Sequence, residues 1–371
     1  MKDAYTLPAG ADFHVHLRDG AMSAAVVPTI RQGGVNTVYV MPNLVPPVTT
    51  VSMALEYKSR LQSLDPSVNY LMTLYLHPSI TPSVIREAKK AGIVGVKSYP
   101  AGVTTNSASG VLDYESFYHV FEAMEEEGLV LNLHGECPSD HKSGVTVLNA
   151  EHSFLPTLKS IHAKFPRLKI VLEHCTTAAA VEAVRECGDS VAATLTAHHL
   201  FLVVDDWAGD VFNFCKPVAK LPSDRLRLLQ ALVSSTGKFF FGTDSAPHDI
   251  SAKKGLGGDA GTTTTITTTV SMISTKTAAG VFTQPYAVAY VLTALEEAVE
   301  RGDIRDEDIT QELLEGVLGG FGRNFYGVKD ESGEKIVLKK GSEVVMESVK
   351  GEGVQVVPFR SGKQTWTCDW L

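Results

Sequence analysis

Short apolar runs alternate with helical patterns along most of this chain. Runs such as VNTVYV, VNYLMTLYL, LVLNL, LKIVL and KFFF are β-branched or aromatic and largely lack a polar alternate face. That pattern predicts strands covered on both sides, as in a parallel sheet wrapped by helices. ADFHVHL precedes MSAAVVPTIRQGG, and VNTVYVMPN precedes VSMALEYKSRLQS. VNYLMTLYLH and TPSVIREAKKAG form the next unit, then IVGVKSYP with DYESFYHVFEAMEEEG. LVLNLHGE pairs with AEHSFLPTLKSIHAKFP, and LKIVLEHC with TAAAVEAVRECG. VAATLTAHH and KFFFGTDSAPH each lead, after a long loop, to a further helical stretch. Several helical stretches stop at a glycine, where a left-handed residue costs little. Eight consecutive strand–helix units with right-handed crossovers predict an α/β fold, a (β/α)8 TIM barrel. A doubly wound sheet rarely needs eight regular units.

The pattern changes after Gly327. KIVLKKGSEVVMESV and VQVVPFRSGKQTWTCDWL read as extended segments. The expected division is a barrel over 1–327 and a small C-terminal appendage over 328–371, packed on the barrel. The threonine-rich stretch GTTTTITTTVSMISTKT, 261–277, reads as a mobile surface insertion.

Composition narrows the class. The 371 residues are 44% hydrophobic and 20% charged, an ordinary globular balance that can build a sizeable core. A net charge of −9 argues against a general polyanion binder, so nucleic acid is not an expected partner. Cys137, Cys175, Cys187, Cys215 and Cys368 are odd in number and form no CxxC pair, which fits reduced thiols and a cytoplasmic location. Neither a signal peptide nor a membrane span is expected, because the N-terminus lacks an apolar core and no run of about 18 apolar residues occurs.

Polar residues fall where a barrel places its active site, at the C-terminal ends of the strands. His14 and His16 end the first barrel strand, Asn43 the second, Lys97 the fourth, His134 the fifth, His174 the sixth and Asp244 the eighth. One such histidine is ordinarily a satisfied core residue. Seven polar groups on one rim need another explanation. His14 and His16 are spaced to project from one face of a strand and so can ligate one metal ion. With His134, His174 and Asp244, the donors suffice for a pair of divalent ions. Lys97 has two readings. Burial would favour its neutral amine, which could take up CO2 as a metal-bridging carbamate. The other reading is a solvent-facing lysine for a substrate phosphate or carboxylate.

DFHVHLRD, VMPN, GVKSYPAGVTTNS, LNLHGE, VLEHCTT and GTDSAPH occur in that order. Together they resemble dihydroorotase of the shorter, monofunctional type, within the amidohydrolase superfamily. The likeness runs from about Ala11 to Arg360. The HxH pair is shared by the whole superfamily; the HLRD, MPN, TTNS and TDSAPH contexts are more specific. The resemblance implies two Zn2+ ions: His14, His16 and Asp244 on the more buried one, His134 and His174 on the other. N6-carboxylysine at Lys97 and a hydroxide would bridge them. It implies Arg18, Asn43 and His248 as a clamp for the substrate carboxylate, and Thr104 and Thr105 as the tip of a closing loop. Backbone contacts to substrate are implied near Ala279–Gly280 and Cys215–Lys216–Pro217, although Lys216 replaces an apolar residue.

The implied reaction is the reversible cyclisation of N-carbamoyl-L-aspartate to L-dihydroorotate in pyrimidine biosynthesis, with Asp244 shuttling the proton. A small-molecule substrate and a homodimer are the implied partners. His198 and His199 end the seventh strand and stay outside the expected metal shell. His119, His152 and His162 read as surface or packing residues, and Cys175 as a small buried thiol. Two rivals remain. One is another cyclic-amide hydrolase, a hydantoinase or dihydropyrimidinase, which needs no carboxylate clamp. The other is a non-catalytic barrel scaffold.

Overall fold

The computed structural model describes residues 1–107, 109–256 and 276–371. Apart from its last two residues, the threonine-rich stretch 261–277 lies outside the described residues.

Strand β1 (Ala4–Pro8) precedes eight parallel strands in sequential order. These are β2 (Gly10–Val15), β3 (Val35–Val40), β4 (Asn69–Tyr75), β5 (Gly95–Ser98), β6 (Val130–Leu133), β7 (Ile170–Leu172), β8 (Val191–Leu195) and β9 (Phe239–Phe241). The ring closes just beyond the strand ends: Asp244 N donates to His14 O at 2.8 Å, and His16 N to Ser245 O at 2.9 Å. This is a (β/α)8 barrel.

Helices follow the strands where the apolar stripes predict them. Thr50, Thr81 and Thr177 cap three of them by accepting from Met53 N, Val84 N and Ala180 N. Each threonine satisfies one of the orphan amides of a first turn. Gly128 and Gly302 end two helices with φ of 68° and 76°. The stretch after β2, which reads as one helix, is broken at Pro28 into Gly20–Val26 and Thr29–Gln32. Proline lacks the amide needed to continue the first piece.

Inside the barrel, β2 shifts register between Asp12 and Val15. That irregularity lets neighbouring residues serve different layers. Phe13 packs downward on Phe240 and Tyr326, with ring centroids 5.5 and 5.0 Å away. His14 and His16 turn to the upper mouth. Tyr326 comes from the helix Phe321–Tyr326, which seals the lower end. A side chain at Gly322 would overlap the Phe13 ring, so the helix sits close against it.

The C-terminal strands are β10 (Lys335–Val344), β11 (Val349–Gly351), β12 (Val354–Val356) and β13 (Gln364–Trp370). β10 pairs antiparallel with both β1 and β13, so the small sheet draws on both chain ends. It is fastened to the barrel by Trp366 Nε1 donating to Glu296 at 2.7 Å and Trp370 Nε1 to Arg31 O at 2.7 Å.

Candidate active site

Two imidazoles and a carboxylate, His14, His16 and Asp244, set the floor of the upper mouth. Glu173 is buried and accepts from His14 Nδ1 at 2.8 Å. That fixes the tautomer and leaves the His14 Nε2 lone pair free. His16 Nδ1 donates to Asn43 Oδ1 at 2.7 Å, because an amide oxygen only accepts. Its Nε2 lone pair is therefore free too. Both lone pairs point at Asp244 Oδ1, from 3.4 Å for His14 and 3.2 Å for His16. Three acceptors facing one another in a buried site repel unless a cation lies among them. Their donor atoms all lie within 4.8 Å of one another, which suits a single metal ion.

The second pair is built alike. His134 Nε2 donates to Glu136 at 2.8 Å, turning its Nδ1 toward His174 Nε2, 3.2 Å away. Carboxylates behind ligand imidazoles set ring orientation and raise basicity. Glu173 and Glu136 stand behind the His14 and His134 rings in this way.

Lys97 is fully buried beneath this cluster, and its Nζ has no hydrogen-bond partner. Burial pushes its pKa down to about 8, against the pull of Glu173 and Asp244. An unpartnered ammonium is costly there, so the neutral amine gains. Burial would raise the Asp244 carboxyl, but the surrounding imidazoles of His16, His14 and His198 hold it well below the usual range. Asp244 therefore stays ionised.

Backbone strain concentrates at the same place. His174, Asp244 and Arg18 adopt φ of 40°, 46° and 57°. Such left-handed residues cost of order 1–3 kcal/mol each and persist where the surroundings fix them. Asp12 supplies part of that fixing: it accepts from Thr243 N, Thr243 Oγ1 and His14 N at 2.7, 2.6 and 3.1 Å.

His14, His16, His134, His174 and Asp244 line one pocket. Arg18, Asn43, Thr104, Thr105, Lys216 and Ala279 line its wall. His248 stands behind that wall, 3.2 Å from Arg18 and 3.0 Å from Ala279 O. The loop carrying Thr104 and Thr105 is tied down across the mouth. Asn43 Nδ2 donates to Thr105 O at 3.2 Å, Asn106 Nδ2 to Asn43 O at 3.0 Å, and Lys216 Nζ to Val103 O at 2.8 Å. Asn43 thus holds both a histidine and the loop.

A second buried triple, His198, His199 and Cys215, also has close donor atoms. His199 spends both nitrogens on Thr196 and Pro217 O, and Cys215 also reaches Pro217 O. Two of the three therefore prop the 215–217 strap. Neither His198 nor His199 lines the pocket.

An amidohydrolase family model matches residues 77–201. A probable dihydroorotase of Schizosaccharomyces pombe is 49% identical over 366 residues, covering 98% of each chain. The crystal structure of dihydroorotase from Saccharomyces cerevisiae, in complex with 5-fluoroorotic acid, superposes with a TM-score of 0.87 at 44% identity, covering 100% of this chain and 99% of that one. This chain belongs to the dihydroorotase family. L-Hydantoinase from Arthrobacter aurescens matches with a TM-score of 0.74 at 17% identity, covering 97% and 87%, and shares the fold alone. The family is one of hydrolases acting on cyclic amide bonds.

Sequence reasoning missed several residues of this dihydroorotase mouth. Glu173, Glu136 and Asp12 each lie within two positions of a histidine singled out above. That proximity was their only signal. Tyr99 also lines the pocket, and its ring lies 5.0 Å from Lys97 Nζ.

Proposed function

We infer that this enzyme interconverts N-carbamoyl-L-aspartate and L-dihydroorotate, the ring-closing step of pyrimidine synthesis. One observation carries the assignment of the chemistry: the lone pairs of His14, His16 and Asp244 face one another, with Arg18 on the wall of the same pocket.

His14, His16 and Asp244 would hold one zinc ion, and His134 and His174 a second. Lys97 would join them as a carbamate, formed when its neutral amine attacks CO2 and releases a proton. Bound metal lowers the pKa of a water and polarises the carbonyl to be cleaved. The chain's own groups do the rest. Arg18 offers a planar pair of donors to the substrate carboxylate, with His248 behind its guanidinium and Asn43 holding the loop beside it. Asp244, held ionised, takes the proton of the attacking water. As the new C–O bond forms and the ring C–N bond breaks, it delivers that proton to the leaving nitrogen. The loop with Thr104 and Thr105 covers the reactants and excludes water. Backbone near Ala279 and Lys216 forms the rest of the wall.

All five cysteines are unpaired, and no described helix is long and apolar enough to cross a membrane. A cytoplasmic homodimer is the setting we propose, the dimer on family resemblance.

Lys97→Ala tests the bridge. It should lose most turnover and regain part of it with added short carboxylic acids. Full activity with two bound metals in that variant would refute the carbamate. A hydantoinase-like specificity is disfavoured by Arg18, which would have no carboxylate to bind.

A further inference from the structure

Lys253 is buried at the end of the short helix Ile250–Lys253, and no carboxylate pairs with it among the described residues. Its Nζ donates to Phe214 O at 2.9 Å, Ala278 O at 3.0 Å and Gly280 O at 2.7 Å. An ammonium has three N–H bonds, and each finds a carbonyl. The acceptors belong to two segments far apart in sequence. One leads directly into the strap carrying Lys216; the other carries Ala279 and Gly280. Both segments line the pocket.

The two segments also meet directly, since Gly280 N donates to Phe214 O at 3.0 Å. Ala278 N donates back to Ala252 O at 3.1 Å. With the carbonyls of Ala278 and Gly280 turned to Lys253, the Ala279 carbonyl is turned the other way. It meets His248 Nε2 at 3.0 Å, beside Arg18. A buried charge without a counter-ion is expensive, and a neutral side chain could not supply three donors from one atom.

We propose that Lys253 is a positioning residue for the substrate pocket: its ammonium locks segments 214–217 and 278–280 into one frame and so sets the backbone face presented to the substrate. The inference rests on the pocket being the dihydroorotate site.

Steady-state kinetics with dihydroorotate on the metal-loaded full chain tests it. Lys253→Met should raise KM about tenfold or more and leave kcat within about threefold, because it loosens binding geometry and leaves Asp244 in place. Lys253→Arg should fall between wild type and Lys253→Met, since planar guanidinium donors cannot converge on all three carbonyls. Lys238→Met is the control. That lysine's Nζ lies within hydrogen-bond distance of four carbonyls at the opposite end of the barrel. Its loss should lower Tm and leave KM unchanged. An unchanged KM in Lys253→Met, or a fall in kcat alone, overturns the proposal. If Lys253→Met does not fold, Lys253→Arg decides: a KM equal to wild type overturns it. Gly280→Ala separates the two readings, because a Cβ there would press on Ala246 and His248. If it leaves KM unchanged, the pocket reading fails. If it raises KM and Lys253→Met does not, only the Lys253 proposal fails.

Discussion

At the lower end of the barrel, Phe13, Phe240 and Tyr326 stack into a plug, and Lys238 Nζ sits among the carbonyls of Val184, Cys187, Gly188 and Val191, within hydrogen-bond distance of each. At the upper end, His14 Nε2, Lys97 Nζ and His174 Nδ1 are buried with no hydrogen-bond partner. Tyr326 OH is satisfied by Asn132 Nδ2 at 2.5 Å, whereas three upper residues carry left-handed backbone. The same strands thus run from an end where Arg323 Nε is the exception among largely paired polar groups to a strained one. The lower end supplies stability. The upper end withholds it, leaving lone pairs and a buried amine without partners at the pocket.

The contrast can be broken by mutations that move activity and stability in the wrong direction. Asp244→Ala should cost about 10²–10⁴-fold in turnover and leave Tm unchanged or higher, because it removes a proton shuttle and relieves facing lone pairs. Kinetics and calorimetry on one preparation check both halves. Tyr326→Ala should do the reverse. It should lose about 3–5 kcal/mol of stability in urea unfolding and keep its KM and kcat while folded.

The buried Glu151 sharpens the picture on the upper side. It accepts from Thr176 N and Thr177 Oγ1, next to His174. Burial pushes its pKa from 4.5 up to about 7, although Lys220 pulls it down. The folded state therefore binds the proton more tightly. Its stabilising contribution is full below pH 4.5 and is lost as pH rises through about 7. By linkage the total is about 3 kcal/mol. Glu151→Gln should flatten that slope in urea midpoints measured across the window. An unchanged slope would remove Glu151 as its source. The smallest expected effect is Glu173→Gln, with about 10–100-fold weaker metal binding or activity, because His14 keeps its position and loses its anionic partner. Equal zinc affinity by competition titration would contradict that role.

Much of the barrel was legible because its strands are apolar on both faces and its helices carry caps and stops at positions such as Thr50, Thr177, Gly128 and Gly302. The strand-end polar residues were legible because polar groups inside apolar runs are conspicuous. What escaped was set by tertiary contact. β1 reads as an ordinary N-terminal segment until it pairs with β10. The helix that seals the floor is short, and its glycine weakens any periodic signal; only Phe13 reveals why Gly322 is needed. The register shift between Asp12 and Val15 leaves no mark in the sequence, although it lets Phe13 and His14 serve opposite ends of one barrel. Asn43 was expected in the carboxylate clamp, and its oxygen is already engaged with His16. Lys253 lies in a polar stretch where nothing distinguishes it from Lys254.

The central claim is that the strained upper mouth is a metal-dependent site for a ring amide bearing a carboxylate. Its most direct test is turnover of L-dihydroorotate beside an unsubstituted hydantoin, on protein whose zinc content has been measured and then removed and restored. The account predicts turnover of dihydroorotate that tracks bound zinc, lost on chelation and regained on reloading, with hydantoin left essentially intact. Zinc-loaded protein that ignores dihydroorotate, or opens both rings equally well, would contradict it.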